Sequence, residues 1–325
     1  MAIVFEAETG NRNEIIDEVH QLWTDIYRCA GLRLGLSTES LRFAATLRRR
    51  VCPNRPVGEE EAAELLRGQS KDGPAKVIET TKWLKAVTEA VDCLWADRRR
   101  NAVTQIAQAR MVAAAVYLRP DLTSDEQVRI LRRWENVTFR IYGMSGRDAR
   151  TAVGDYVRLA WSIVREKPSA AAILARLSKI GAGFPIADAI ENLRKQDRYT
   201  SWQDEVRYFF FRYEEHLARR AGQNFDNEQW NRIWEASAAD SIEHILPQSA
   251  GSHAWVHWLG NLLVLPPRLN SKLGAKAPKE KADAYNKTGL LIAQEVVGGL
   301  SGWKRQAIEE RENALLQWAL QEWAD

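Results

Sequence analysis

The chain has 325 residues, 45% of them hydrophobic, with 13 tryptophans, which excludes an intrinsically disordered protein and allows one large domain or two of ordinary size. A formal net charge of +3, from 46 basic and 43 acidic residues, is too small to imply a nucleic-acid partner by itself, although it allows a local basic surface. Cys29, Cys52 and Cys93 stand far apart with no C-x-x-C pair, which argues against a disulfide scaffold and against a zinc ribbon.

The opening, MAIVFEAETGNRNE, has no basic region ahead of an apolar run and does not read as a signal peptide. Met111 to Leu118 is the longest uninterrupted apolar run, far short of the roughly 20 residues a membrane span needs. A cytoplasmic protein with no membrane partner is expected.

From Asn11 to about Arg194 the chain reads as a succession of helices, interrupted at Pro53, Pro56, Gly68, Pro120, Gly143, Gly146, Pro168 and Pro185. The arginine clusters at 48–50, 98–100 and 219–220 read as solvated helix ends, and His20 and His216 as surface residues. Ile106 to Leu118 is apolar on nearly every side and predicts a central core helix. Thr123 and Glu126 form a capping box, opening a helix whose Ile130, Trp134, Val137 and Ile141 make a stripe for burial.

The polar segment Lys195 to Thr200 marks a candidate boundary. Beyond it Val206, Phe209, Phe210, Tyr213 and Leu217 share one helical face, which reads as core. The pattern then changes. Ser241 to Leu246 is short, rich in branched residues and stopped by Pro247, and Gly260 to Leu265 is a second short apolar run stopped by Pro266-Pro267. Each suits a strand, so the pair predicts a hairpin with a long loop between. Pro278 to Tyr285 opens on proline and predicts a helix. Trp303 to Trp323 predicts a closing amphipathic helix.

Strand, loop, strand, helix can hold a positioned imidazole beside one divalent cation, and phosphodiester hydrolysis asks for little more. A neutral histidine near its normal pKa suits the proton transfer at neutral pH. Hard oxygen ligands suit Mg²⁺ or Mn²⁺. Glu243 and His244 end the first strand, Asn261 lies in the second, and Asn270 leads toward the helix. Adjacent residues of an ideal strand face opposite ways, so Glu243 and His244 share a site only at a strand end or bulge. His253 and His257 form H-x-x-x-H in a predicted loop, without a cysteine nearby to favour zinc.

E-H-I-L-P-Q at 243–248, L-G-N-L-L-V-L at 259–265, L-N-S-K-L at 269–273 and the pair Glu280-Lys281 together resemble the HNH-like C-terminal nuclease domain of GmrSD-type restriction enzymes. A similar domain is carried by phosphorothioation-sensing Ssp defence nucleases, and the order of residues resembles the HNH domain of CRISPR effector nucleases. The likeness covers about 200–325, where Trp303, Ile308 and Arg311 fit the family's W…I..R pattern. Together with the succession of helices upstream, it predicts a mainly α chain: a helical domain at about 1–195, for DNA positioning or docking, then an α+β ββα-metal nuclease domain at about 200–325, its core at about 240–288.

By the same resemblance His244 is the general base, Glu243 and Asn270 are metal ligands with Asp240 as a further one, and Asn261 braces the hairpin or orients His244. Lys272 and Lys281 are candidates to reach a phosphate of the DNA. The expected activity is Mg²⁺- or Mn²⁺-dependent DNA cleavage in restriction of foreign DNA. A degenerate DNA- or protein-binding module, and an RNase or toxin using the same site, stand as alternatives. The family's ParB-like nucleotide-handling domain, with its D-G-Q-Q-R signature, has no counterpart here, and no G-x-x-x-x-G-K-[ST] loop is present. Either a longer protein or a separate partner subunit is implied to supply it.

Overall fold

Long stretches of Ala, Leu, Glu, Gln and Arg favour helix, and the computed structural model is mainly α with a small two-stranded sheet. It describes residues 12–324 other than Asp72, Asp226 and Ser252. Residues 1–11, which make up most of the opening segment read for a signal peptide and include Asn11, lie outside the described residues. Two compact units divide the chain, one of residues 1–138 and 147–183, the other of residues 139–146 and 184–325. Among the described residues no single helix is long and apolar enough to cross a membrane.

The first unit holds α1 (Arg12–Ala30), α2 (Leu34–Leu47), α3 (Glu59–Gln69), α4 (Pro74–Ala96), α5 (Arg98–Asn101), α6 (Ala107–Tyr117), α7 (Ser124–Thr138), α8 (Val153–Arg165) and α9 (Ala170–Ala182). The all-round apolar α6 is its centre, buried from Gln108 to Val116 and packed on α4, α7 and α8. Its one cation, Arg110, is fully buried and paired with Glu39 at 2.6 Å. The capping box forms as predicted: Glu126 accepts from the Thr123 backbone N–H at 2.9 Å, and Thr123 Oγ1 accepts from the Glu126 N–H at 3.3 Å. One reading of the arginine clusters needs correcting. Arg99 and Arg100 do not merely face water but both bind the buried carboxylate of Glu135, at 2.7 and 3.1 Å, because an acid enclosed in a helical core requires counter-charge.

Ile130, Trp134 and Val137 are buried in this unit as the stripe requires. The α-helix ends at Thr138, however, and the stripe's fourth member, Ile141, lies in a π-helical turn, Phe139–Met144, that belongs to the second unit. There Phe139 packs on Tyr208 and Trp323 with ring centroids 4.5 and 5.2 Å apart. Trp202 Nε1 donates to Gly143 O at 2.7 Å and Asn192 Nδ2 to Met144 O at 2.7 Å.

The second unit continues with α10 (Ile186–Leu193), α11 (Gln203–Ala221), α12 (Asn227–Glu235), α13 (Ala238–Ser241), β1 (Ile242–His244), β2 (Leu262–Val264), α14 (Pro267–Leu273), α15 (Pro278–Asn286), α16 (Leu291–Gln294) and α17 (Arg305–Glu322). Val206, Phe209, Phe210 and Tyr213 of α11 are buried, with Phe209 stacked on Trp323 at 5.4 Å, while Leu217 is half-buried. β1 and β2 are antiparallel, with Ile242 opposite Val264, Glu243 opposite Leu263 and His244 opposite Leu262. So short a hairpin has little stability of its own; it rests on α11 and α16, with α17 against the 3-10 turn Leu259–Asn261 that leads into β2.

Candidate functional site

Asn261 explains how the hairpin ends. Its side-chain amide acts as an extra peptide group: Oδ1 accepts from the Leu246 N–H at 2.8 Å and Nδ2 donates to Leu246 O at 2.9 Å, with a further bond to Val256 O at 2.7 Å. Trp303 Nε1 donates to the same Oδ1 at 3.0 Å. Of the two roles expected for Asn261, bracing is the one these bonds support. Its amide is fully buried and engaged, and no bond to His244 forms, because both ends of the amide already serve the backbone.

Gly260 beside it is required by close approach. A Cβ there would stand 2.1 Å from Ile308 O and 2.9 Å from the backbone nitrogen of Glu312, so any side chain must push α17 away. Arg311 Nη1 meanwhile donates to Gly260 O and Leu262 O at 2.9 and 2.6 Å. Trp303, Ile308 and Arg311 thus converge on the G-N pair from the far end of the sequence. Gly260→Ala is expected to destabilise the protein by about 3 kcal/mol, the upper range of overpacking; an unchanged urea midpoint would contradict the packing described.

Strand alternation sends Glu243 and His244 to different partners. Glu243, 3% exposed, accepts from Lys281 Nζ at 2.7 Å and from the Tyr285 hydroxyl at 2.8 Å, both on α15. The same ammonium donates to His244 O at 2.7 Å. Burial pushes the Glu243 carboxyl up from its ordinary value, while Lys281 and Tyr285 pull it back. Lys281 therefore does not reach out to a phosphate as expected: its side chain is fully buried, because the buried carboxylate needs a counter-ion. Lys272 is exposed on α14.

The ring of His244 lies on the other side, 6% exposed. Gln248 Nε2 donates to its Nδ1 at 3.3 Å, and its Nε2 meets His257 Nδ1 at 3.1 Å. With Nδ1 accepting from Gln248, a neutral ring would have its proton on Nε2, toward His257. Tyr199 sets an edge against His244 at 4.5 Å and stacks on His257 at 5.6 Å. The imidazole is not near its normal pKa, as the sequence led us to expect. Burial, then the nearby His257 and Lys281, lower it to about 3, with Asp197 opposing.

His244 and Glu243 both line an open cleft of roughly 460 Å³, together with Asp240, Asn270, Gln248 and Tyr199. Asn270 ties α14 to the approach of β1, its Nδ2 donating to Asp240 O at 2.8 Å and Ile242 O at 3.0 Å. Asp240 is exposed and accepts from Ser237 Oγ at 2.8 Å. The cleft thus gathers His244, Glu243, Asn270 and Asp240, and leaves out Asn261, Lys281 and Lys272.

Sequence reading missed His257, Tyr199 and Asp197. His257 was weighed only as half of a zinc pair with His253, which instead stacks on Trp255 at 5.1 Å. Tyr199 and Asp197 sat in the polar segment taken as a boundary. The one available signal was the aromatic and acidic content of that segment, D-R-Y-T at 197–200.

Residues 185–318 match the family model of the GmrSD restriction endonucleases, C-terminal domain, in agreement with the resemblance drawn from the same motifs. No curated protein matches the chain.

Proposed function

Proceeding from the GmrSD-type C-terminal domain at 185–318, we propose that this protein is a metal-dependent HNH-type DNA endonuclease of a restriction system, with His244 as general base. The observation that carries the reading is the His244 ring in a cleft it shares with two carboxylates and an amide, its Nδ1 facing the Gln248 amide nitrogen at 3.3 Å.

Asp240 and Asn270 fit a hard divalent cation by the chemistry of their donors, and Glu243 would join them only through Oε2, since Lys281 and Tyr285 both bond its Oε1. They offer carboxylate and amide oxygens, and the Asn270 bonds engage its nitrogen rather than its oxygen. Mg²⁺ and Mn²⁺ commonly keep several waters and take one or two carboxylates; among the described residues no three His, Cys, Asp or Glu side chains gather as a cage. When bound, Mg²⁺ or Mn²⁺ would supply positive charge to offset the negative charge developing on the phosphate and leaving oxygen. The chain's residues do the rest. Gln248 yields its bond to Nδ1, His244 removes a proton from water there, the hydroxide formed attacks phosphorus in line, and the P–O bond to the leaving oxygen breaks, that oxygen taking a proton from solvent. The sensing of DNA modification, and any nucleotide use, are assigned to a further segment or a partner subunit, in keeping with the family.

Burial, then the nearby His257 and Lys281, holds the proton affinity of His244 low in the free protein. The acid limb of kcat/KM, which reports the free enzyme, is therefore expected well below pH 6.5. A limb at or above pH 6.5 in a pH–rate profile would count against this assignment. The direct test of function is supercoiled plasmid incubated with the protein and Mg²⁺ or EDTA. Nicked or linear product only with the metal is expected. Plasmid left intact with Mg²⁺, or RNA cut in its place, would overturn the DNA endonuclease reading.

A further inference from the structure

We propose that His257 is a positioning residue for His244, holding it in the single tautomer that leaves Nδ1 open to the cleft. The inference rests on the nuclease reading for its purpose, while its structural content stands apart from activity.

An isolated neutral imidazole exchanges its proton between Nδ1 and Nε2, and only the form with a lone pair on Nδ1 can accept a proton from the cleft side. Here the opposite nitrogen of His244 meets a second ring nitrogen, His257 Nδ1, at 3.1 Å. For that bond to form, one ring must donate and the other accept. The Gln248 amide N–H at His244 Nδ1 settles which, since it places a donor against the nitrogen that must then be bare. His257 in turn carries its own proton on Nε2.

The second ring is itself held. The Arg198 N–H donates to His257 O at 2.9 Å, which anchors the 197–199 segment to the His257 backbone. Tyr199 from that segment stacks on His257 with the ring planes 17° apart and turns an edge to His244 at 70°. The two imidazoles are left nearly perpendicular, at 86°, so His257 directs an in-plane nitrogen rather than its ring face toward its neighbour.

Asp197 fixes the same turn, accepting from the backbone N–H groups of Tyr199 and Thr200 at 3.0 and 2.9 Å. Its charge raises the proton affinity of His244. When Nδ1 of His244 takes a proton from water, the resulting imidazolium keeps its Nε2–H bond to His257, and the nearby Asp197 carboxylate offsets the new positive charge. His257 touches neither substrate nor water in this scheme. Its action is through His244.

The test uses the full chain, ¹⁵N-labelled at histidine, and reads the tautomer of His244 from long-range ¹H–¹⁵N correlations. The parent protein should show a bare Nδ1 and a protonated Nε2. His257→Phe keeps a ring against Tyr199 but offers no acceptor, so mixed tautomers are expected, with kcat on plasmid falling on the order of tenfold to a hundredfold at little changed KM. His257→Asn returns an acceptor oxygen near the position of Nδ1 and should recover both the single tautomer and most of kcat, which a merely structural residue would not do. An unaltered His244 spectrum in folded His257→Phe overturns the proposal, as does a His257→Asn variant no better than Phe in either readout. A tautomer that shifts as expected in a protein that cuts no DNA supports the positioning bond and removes the nuclease reading instead.

Discussion

His244→Ala is expected to lose plasmid cleavage by about a hundredfold to ten-thousandfold, the span of a positioned general base. Nothing else lining the cleft replaces it: Asp240 and Glu243 are acids suited to a cation, and Gln248 does not titrate. Because the ring is buried against Tyr199 and His257, the truncation leaves a gap, and its thermal melt must be followed beside its activity. His244→Gln, which fills more of the space and keeps a polar end, provides the control. It should melt close to the parent and be as inactive as the alanine variant. Cleavage at the parent's rate by either folded variant would take the chemistry away from this residue.

Lys281→Met is expected to cost about 3–5 kcal/mol of stability, the usual consequence of removing one member of a buried ion pair. The methionine matches the lysine stem, so the loss is electrostatic rather than steric. It leaves the Glu243 carboxylate with the Tyr285 hydroxyl alone and takes a donor from His244 O. The deficit should shrink as pH falls, because a protonated carboxyl needs no counter-ion and burial already favours that form. Adding Glu243→Gln keeps an acceptor for Tyr285 while discharging the group, and should restore much of the stability. Urea unfolding of the three variants at pH 7 and pH 5 distinguishes these outcomes, and a Lys281→Met midpoint equal to the parent's would show that the pair contributes nothing.

The hairpin, the helix from Pro278, the closing helix and the capping box could all be read along the chain, since each depends on local periodicity or on residues a few positions apart. The four cleft-lining residues were legible for another reason: E-H, G-N and L-N-S recur in a fixed order that a family motif preserves. What escaped was every partner brought in by the path of the chain. Lys281 looks like any other lysine on a charged helix until α15 is laid against β1. Tyr199 and His257 are far apart in sequence, and only the turn anchored by the Arg198–His257 backbone bond sets them face to face. The break in the stripe at Thr138 was hidden because Ile141 continues the helical period while the backbone changes to a π-turn.

The side-chain amide that stands in for a missing peptide group has a practical corollary. A two-stranded ribbon this short would be disordered if excised, and here its closure is delegated to an asparagine whose own support, from Trp303, lies in the last part of the chain. The segment 240–288 is accordingly not a transplantable minimal motif. Grafted onto a foreign scaffold it would carry every cleft-lining donor except Tyr199 and still lose the geometry, unless the scaffold also furnished an indole and a glycine-tolerant helix face to receive it.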